Sequence, residues 1–209
     1  GVPGFNAKKQ YFHDAFDQWA STKRKSWLDG KTTIAFVGEF SAGKTSIVNR
    51  ILSQDDSSVP KLPVSTKATT AIPTYSAGGL RADYSFISGD GKRKKILEDT
   101  FKKVSKEVLD QVKGVSSLIK YFVMEYKNPN LKGLSILDTP GFNSNDKEDR
   151  DRTIDVINEC DALFWVFDVN AGTVNRSSIS VIKEKLNKPL YVVINKVDTN
   201  SDKDVKKVA

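Results

Sequence analysis

The stretch FVGEFSAGKTSI, residues 36–47, places four small residues after an apolar run and before Lys44-Thr45, namely Gly38, Ser41, Ala42 and Gly43. Small residues at this density weaken a helix or a strand, so the chain needs bare backbone here. The stretch matches G-x-x-x-x-G-K-[ST], in which backbone N–H groups surround nucleotide phosphates. It follows a predicted strand over 32–37 and opens a predicted helix over 46–52. This context favours a phosphate-binding loop over an ordinary glycine-rich turn.

The residues of this loop have distinct expected roles. Gly43 lets the backbone approach the β-phosphate, and Lys44 brings a positive charge to the β- and γ-phosphates. The hydroxyl of Thr45 is the expected ligand of Mg²⁺. The predicted nucleotide contacts from the loop are Glu39, Phe40, Ser41, Ala42, Gly43, Lys44, Thr45 and Ser46.

Two polar motifs follow later apolar strands. LSILDTPGF places Asp138 where a carboxylate can hold Mg²⁺ through water, and Gly141 where a bare N–H can meet the γ-phosphate. LYVVINKVD places Asn195, Lys196 and Asp198 just past a strand that its apolar composition predicts to be buried. Each motif alone is weak. All three in this order, each at the carboxyl end of a predicted strand, indicate a ligand site at one edge of an α/β sheet.

The motif that contains Asp198 predicts which base is bound. The carboxylate of Asp198 can accept two hydrogen bonds, from N1–H and the exocyclic amine of guanine. Adenine offers no such pair of donors and would leave the carboxylate desolvated and unpaired. The stem of Lys196 can lie over the base plane, and Asn195 can bridge to the phosphate loop. The expected ligands are therefore GTP and GDP.

The rest of the chain alternates strands with helices, which predicts a mostly parallel sheet with helices on both faces. A helix with an aromatic stripe is predicted from Asn6 to about Leu28, either packed on this domain or part of a bundle completed by other sequence. The other predicted elements are extended segments at 70–77 and 82–88, helices at 96–112, 152–160 and 177–186, and strands at 119–127, 134–138, 162–167 and 190–195.

The composition of the chain limits its domain count, its compartment and its partners. The chain has 209 residues, 38% of them hydrophobic, which suits one globular domain or one domain with an appendage. Its single cysteine, Cys160, is expected to be buried filler and favours a reducing, cytoplasmic compartment. No apolar run approaches the roughly 20 residues of a membrane-spanning helix. The net charge of +7, with basic clusters at 23–25, 92–95 and 206–207, favours phosphate-rich partners, although any one cluster can be a solvated face.

These motifs resemble those of GTPase G domains, and among them the dynamin superfamily, especially bacterial dynamin-like proteins. Ser-Ala precedes Gly-Lys in the phosphate loop, KLPVSTKATTAIPT over 61–74 resembles switch I, and the third motif reads DTPG. In addition, 94 positions separate Lys44 from Asp138, the kind of enlargement that dynamin-type domains show relative to Ras-like ones. The resemblance covers roughly Thr32 to Asp198.

The resemblance implies a three-layer P-loop NTPase G domain that is enlarged between switch I and switch II. It implies a division into an N-terminal helix over 1–30, as a bundle or stalk element, and a GTPase domain over 31–209 that is truncated after the guanine motif. The implied catalytic residues are Ser41, Lys44 and Thr70, with Thr69 as the alternative to Thr70. The implied Mg²⁺ ligands are Thr45, Thr70 and Asp138, and Ser41 would help to hold a monovalent cation, K⁺ or Na⁺.

Two departures from related enzymes predict slow hydrolysis by an isolated domain. Phe142 stands where Ras-like enzymes orient water with Gln, and Phe40 stands where eukaryotic dynamins carry Gln. We therefore expect stimulation by a second G domain across the nucleotide face, in a homo- or heterodimer. Five arginines could act as fingers, although none stands out: Arg50, Arg81, Arg150, Arg152 and Arg176.

The favoured function is GTP hydrolysis coupled to membrane remodelling, with lipid contacted through regions outside this chain and only peripheral membrane association. No nucleic-acid partner is expected. Two alternatives stay open. An Era-like ribosome-assembly GTPase fits DTPGF and the basic charge, but the long insertion does not suit it. A GTP-binding switch or scaffold without turnover fits the loss of both Gln positions.

Overall fold

The computed structural model describes residues 9–16, 25–38, 42–59, 72–103, 118–139, 151, 154–155, 157–171, 179 and 187–199. Within them lie eight strands: β1 Thr32–Gly38, β2 Thr74–Gly78, β3 Asp83–Ser88, β4 Arg93–Ile96, β5 Ile119–Tyr126, β6 Leu134–Asp138, β7 Ala162–Asp168 and β8 Leu190–Asn195. The described helices are α1 over 9–16, α2 Lys44–Ser53 and α3 Glu98–Lys103, with further helical residues between 151 and 158.

All eight strands form one sheet in the order β4-β3-β5-β2-β6-β1-β7-β8. The half that contains β6, β1, β7 and β8 is parallel throughout. The other half is mixed, because β2 is parallel to β5 but antiparallel to β6, and β3 is antiparallel to both of its neighbours. The predicted mostly parallel α/β sheet is confirmed, and its antiparallel pairs lie in the half beyond β6.

Two separate hydrophobic cores give the fold its three layers. Alternate residues of β1 enter opposite cores, because successive side chains of a strand point to opposite faces. Phe36 packs with Val48 and Leu52 of α2, whereas Val37 packs with Ile157 on the other face. Cys160 is buried in this second core, as predicted, and burial raises its pKa to about 12.

The predicted enlargement between the switch regions is confirmed as an extension of the sheet. β3, β4, β5 and α3 lie between β2 and β6 in the chain, and their strands continue the sheet beyond β2. Phe101 anchors α3 by contacting the rings of Tyr84 and Phe122, at centroid distances of 5.2 Å and 5.4 Å. This core contact explains why an insertion of such length folds with the rest of the domain.

One prediction inside the extension was wrong. The helix expected over 96–112 does not begin at Ile96, because Ile96 pairs with Tyr84 as the last residue of strand β4. The basic composition of RKKI hid this strand, although lysines are common on edge strands, where they discourage further pairing. The part of the predicted helix over 104–112 lies outside the described residues.

The basic cluster at 92–95 is largely neutralised in the structure. Arg93 lies 2.7 Å from Glu125, Lys95 lies 2.8 Å from Asp83, and Lys92 lies 3.5 Å from Asp90. These carboxylates offset most of the charge that the sequence concentrates at this edge. The cluster therefore resembles a protected edge strand more than a surface for phosphate-rich partners.

The strand before the guanine motif was predicted to be buried, and this was wrong. β8 lies at the sheet edge and pairs with β7, and among the described strands it has no second neighbour. Leu190, Tyr191 and Val192 are exposed by 37%, 52% and 59%. Apolar composition predicts burial, but the position of a strand within its sheet decides whether other elements cover it.

The N-terminal helix was predicted to run to about Leu28 but ends before Lys25. Residues 9–16 are helical, whereas Lys25 is not and Ser26–Leu28 form a 3₁₀ turn. This turn inserts Trp27 into the core beneath the sheet, where it contacts the rings of Tyr75 and Tyr121 at centroid distances of 6.1 Å. Over the described residues, none of the helices has the length and apolar character needed to span a bilayer.

Candidate nucleotide-binding site

The predicted site residues gather at the carboxyl ends of the parallel strands. Strand register sets Phe36 opposite Asp138, and Asp168 opposite Asn195, so β1, β6, β7 and β8 all end at the same edge. The glycine-rich loop leaves β1 at this edge and leads into α2. Ligands of open α/β sheets bind at such an edge.

Glycine is required twice in the glycine-rich loop, for different reasons. Gly43 precedes α2 with φ of 81°, a left-handed conformation, and an added Cβ would lie 2.4 Å from Asn195 Nδ2. Gly38 closes β1, and a Cβ there would lie 2.5 Å from the carbonyl oxygen of Val166. Gly38 thus permits close packing of β1 on β7, and Gly43 allows Asn195 to approach the loop.

Asn195 spans the gap between the guanine motif and the phosphate loop. Its Nδ2 donates a hydrogen bond of 2.9 Å to the carbonyl oxygen of Ala42. The two residues are 153 positions apart in the chain, so this bond ties β8 to the start of α2. The loop is therefore held from the side on which the sequence predicts the base.

Lys44, Thr45 and Asp138 meet at the mouth of the loop. The buried ammonium of Lys44 donates to the carbonyl oxygen of Thr139 and lies 3.5 Å from Asp138 Oδ1. The hydroxyl of Thr45 lies 3.3 Å from Asp138 Oδ2. Burial raises the pKa of Asp138, and the positive charge of Lys44 opposes this shift.

This donor set suits Mg²⁺. Oδ1 of Asp138 is buried and accepts no hydrogen bond within the described part of the chain, and the Lys44 ammonium lies 3.5 Å from it, beyond hydrogen-bond distance for this pair. An unsatisfied buried carboxylate oxygen is costly unless a cation or donor completes it. A hydroxyl and a carboxylate are also oxygen ligands of the kind that Mg²⁺ prefers.

Thr139 anchors the DTPG motif to β1, a role that motif analysis missed. Its backbone N–H and its hydroxyl both donate to the carbonyl oxygen of Phe36, at 3.1 Å and 2.9 Å. The side chain is 1% exposed, so it faces inward. The start of the loop after β6 is therefore fixed against β1, directly beside Lys44.

Asp168 is a second residue that motif analysis missed. It is the last residue of β7, and its Oδ2 lies 2.7 Å from Nζ of Lys196. A signal existed in the sequence, because ALFWVFD ends an apolar strand with Asp just as LSILD does. Without a known motif around it, that strand-end aspartate was passed over.

Asp198 lies in the short turn Val197–Thr199 just after β8, and its side chain is exposed. An exposed carboxylate beside the loop is accessible to a base. Ser46 is exposed on the first turn of α2. Arg50 pairs with Asp55 at 3.1 Å on the protein surface, and Arg81 is exposed at the opposite end of the sheet.

Several predicted residues lie outside the described part of the chain, and their roles stay predictions. They are Glu39, Phe40, Ser41, Thr69, Thr70, Gly141, Phe142, Arg150, Arg152, Arg176 and the third basic cluster at 206–207.

A glycine-rich loop between a strand and a helix, with two polar motifs at the same sheet edge, defines a P-loop nucleotide-binding domain of the G-domain class. The family model described as "Dynamin family" matches residues 34–197, most of the chain. The chain therefore belongs to the dynamin family and carries its GTPase domain.

Two similar proteins are named as a dynamin-like protein and as a GTPase. The chain is 25% identical to Dynamin-like protein A of Bacillus subtilis over 207 residues, which cover 95% of this chain and 16% of that protein. It is 26% identical to GTPase Der of a Sulfurihydrogenibium species, over 84% of this chain and 29% of that protein. The chain thus spans less than a third of the length of these relatives.

The fold resembles that of a solved bacterial dynamin, one of an oligomerised pair described as providing a mechanism for the long-range sensing and tethering of membranes. The TM-score is 0.57 at 22% identity, and the match covers 87% of this chain and 28% of the other. This likeness supports the α/β fold of a G domain.

The Gly43→Ala variant tests whether the close approach of Asn195 to the loop matters. We expect nucleotide affinity to fall about tenfold or more, because the new methyl group displaces the Asn195 amide. The positive φ should also cost about 1–2 kcal/mol of folding free energy. Calorimetric titration with GDP and thermal unfolding measure the two effects.

Gly91→Ala is a matched control. Gly91 has φ of 83° in the turn between β3 and β4, and an added Cβ there meets nothing within 4 Å. It should lose similar stability while GDP affinity stays the same. Equal affinity in both variants would contradict a role for the Gly43–Asn195 contact in nucleotide binding.

Proposed function

We propose that this chain is the motor domain of a dynamin-like protein, in which Mg²⁺-dependent GTP hydrolysis is accelerated when two G domains meet across their nucleotide faces. The observation that carries the proposal is the convergence of Lys44, Thr45 and Asp138 at the glycine-rich loop. Paired charges and hydroxyls in this arrangement suit a bound triphosphate better than any other ligand class.

Each residue at the loop has a proposed part in phosphate binding. Lys44 leaves the Thr139 carbonyl and Asp138 and places its charge against the β- and γ-phosphates. Thr45 and Asp138 would hold Mg²⁺, with Thr70 as the proposed third contact from switch I. When bound, Mg²⁺ neutralises negative charge that develops on the phosphates. Gly141 offers its N–H to the γ-phosphate.

Guanine recognition is assigned to the loop after β8. We assign the two hydrogen bonds to the base to Asp198 and the packing on the purine face to the stem of Lys196. Asn195 already joins this loop to Ala42, so base binding and phosphate binding share one framework. The proposal therefore predicts that changes at either end alter affinity for the whole nucleotide.

Stimulation by a second G domain follows from Phe40 and Phe142, which cannot orient water by hydrogen bonding. We propose that pairing of two G domains orders switch I so that the carbonyl of Thr70 positions the attacking water. Ser41 and a monovalent cation, K⁺ or Na⁺, would then supply charge near the bond that breaks. Without the partner, the domain turns over slowly.

A concentration series tests this mechanism. The rate of phosphate release per protein molecule should rise with protein concentration in K⁺ buffer and less in Li⁺ buffer, because dimers form by mass action. Adding liposomes to a longer version that includes the regions beyond this chain should raise the rate further. A rate that is independent of concentration would contradict activation by dimerisation.

The same assay separates the alternatives. A rate that rises with ribosomes alone would favour a ribosome-assembly GTPase. Tight GTP binding without phosphate release would favour a switch or scaffold. Stimulation by liposomes would favour the membrane-remodelling role.

The N-terminal segment is proposed to be a separate element, with a boundary near residue 30. Tyr11, Phe12 and Phe16 on α1 are exposed by 70%, 70% and 61%, a costly arrangement for aromatic side chains. Trp27, by contrast, is docked in the domain core. We propose that α1 packs in a helical bundle with sequence beyond this chain, and that the 3₁₀ turn at Trp27 marks the start of the G domain.

A further inference from the structure

An ion pair joins the end of β7 to the residue after β8 at the nucleotide edge, and its carboxylate partner, Asp168, belongs to none of the recognised motifs. Nζ of Lys196 donates to Oδ2 of Asp168 over 2.7 Å. The side chains are 38% and 10% exposed, so the carboxylate is the more enclosed partner. Strand register places Asp168 opposite Asn195, immediately before Lys196.

Both oxygens of Asp168 are engaged. Oδ1 accepts the backbone N–H of Asn170 at 2.9 Å, which secures the turn that follows β7, while Oδ2 receives Lys196. The hydrogen bond from Lys196 lowers the pKa of Asp168. A carboxylate fixed by two donors at the end of a strand is a rigid acceptor for the ammonium group.

The backbone of Lys196 is in a conformation that needs support. Its φ is 61°, in the left-handed region that residues with side chains rarely adopt. Such residues persist where surrounding contacts hold them, often at functional sites. Here the side chain of Asn195 is hydrogen-bonded to Ala42 in the glycine-rich loop, and that of Lys196 is hydrogen-bonded to Asp168 at the end of β7. Two successive residues are therefore held by contacts to two different parts of the fold.

We propose that Asp168 is a positioning residue for guanine-nucleotide binding: it holds the Lys196 ammonium so that the lysine stem stays in place against the purine face. The inference rests on the proposed roles of Lys196 and Asp198. Asp168 itself does not touch the base. Its effect is on how long the nucleotide stays bound, whereas Asp198 sets which base is chosen.

Asp168→Asn is the variant of choice. The amide is isosteric, and its oxygen can still accept from Asn170, so the turn after β7 is preserved. Its charge is lost, and the ammonium of Lys196 is released from the carboxylate. We expect fluorescent GDP to dissociate about tenfold faster, the effect typical of a charge-assisted hydrogen bond. Stopped-flow displacement of the labelled nucleotide measures this rate.

Asp83→Asn provides the control. Asp83 begins β3, away from the nucleotide edge, and pairs with Lys95 at 2.8 Å, a strand Asp–Lys contact of nearly the same length. This variant should release GDP at the unmodified rate. If Asp168→Asn releases GDP no faster than Asp83→Asn does, Asp168 has no part in nucleotide binding.

Two further measurements separate positioning from a general structural effect. Lys196→Met should release GDP faster, and the double variant with Asp168→Asn should be no faster than Lys196→Met alone, because both changes remove one interaction. If the two changes instead multiply each other's effect on the release rate, the inference is overturned.

Asp168→Asn should also speed release of GDP and IDP by the same factor, since the contacts of Asp198 to the base edge are intact. A changed GDP-to-IDP ratio would likewise overturn it.

The proposed guanine site has its own test. If Asp198→Asn leaves base preference unaltered, the guanine assignment fails, whatever Asp168→Asn does. If Asp198→Asn changes the preference and Asp168→Asn behaves as Asp83→Asn does, the positioning role alone fails.

Discussion

Lys44→Ala is expected to eliminate measurable GTP binding, with affinity falling by about 100-fold or more, since a buried ammonium facing phosphates is worth several charge-assisted hydrogen bonds. The ammonium of Lys44 is buried beside Asp138 and the Thr139 carbonyl, at the mouth of the glycine-rich loop. Lys44 is the basic partner that the structure gives Asp138, with Nζ 3.5 Å from Oδ1. Titration calorimetry with GTP and Mg²⁺ gives the affinity directly.

The control for this variant is Lys31→Ala. Lys31 also donates to a backbone carbonyl, that of Gly78 at 3.0 Å, but at the opposite end of the sheet. The Lys31→Ala variant should bind GTP with the affinity of the unmodified protein. Removing Lys44 also leaves the buried carboxylate of Asp138 without its cation, which should lower stability, so circular dichroism must confirm the fold. A folded Lys44→Ala protein with unchanged GTP affinity would refute the phosphate-loop assignment.

Asp198→Asn is expected to change the preferred base from guanine to xanthine. Asn presents one acceptor and one donor where Asp presents two acceptors, so it clashes with the exocyclic amine of guanine and complements the carbonyl of xanthine. GTP affinity should fall about 100-fold and XTP affinity should rise. Displacement of a fluorescent nucleotide analogue from the protein by GTP and by XTP measures the two affinities.

ATP is the internal control for the base-recognition experiment. Adenine has no N–H at N1 and no polar group at C2, so it matches neither the two acceptors of Asp nor the acceptor and donor of Asn, and the weak binding of ATP should not change in the variant. The turn that carries Asp198 is exposed, so the substitution should leave the melting temperature unaltered. If GTP and XTP affinities both stay where they were, Asp198 does not read the base, and the guanine assignment is wrong.

Local patterns predicted most of the sheet and the helix after the glycine-rich loop correctly. The strand over 32–37, the helix that follows the loop and the strand LSILD all lie where their apolar runs and glycines indicated. The clearest misses were β4, whose basic residues concealed a strand, and β8, whose apolar residues suggested a burial that it does not have. In both cases the deciding factor was position at a sheet edge, which depends on the pairing of whole strands.

The sequence by itself determined that a loop of small residues before Lys44 would connect a strand to a helix. Backbone freedom, charge and apolar periodicity act over a few neighbouring residues, so a short stretch is enough to predict them. The tertiary structure alone decided which distant groups complete the site. Lys196 meets Asp168 across 28 positions of chain, and Asn195 meets Ala42 across 153. Such contacts follow from strand order and register. These depend on the packing of the entire sheet and cannot be predicted from any short stretch of residues.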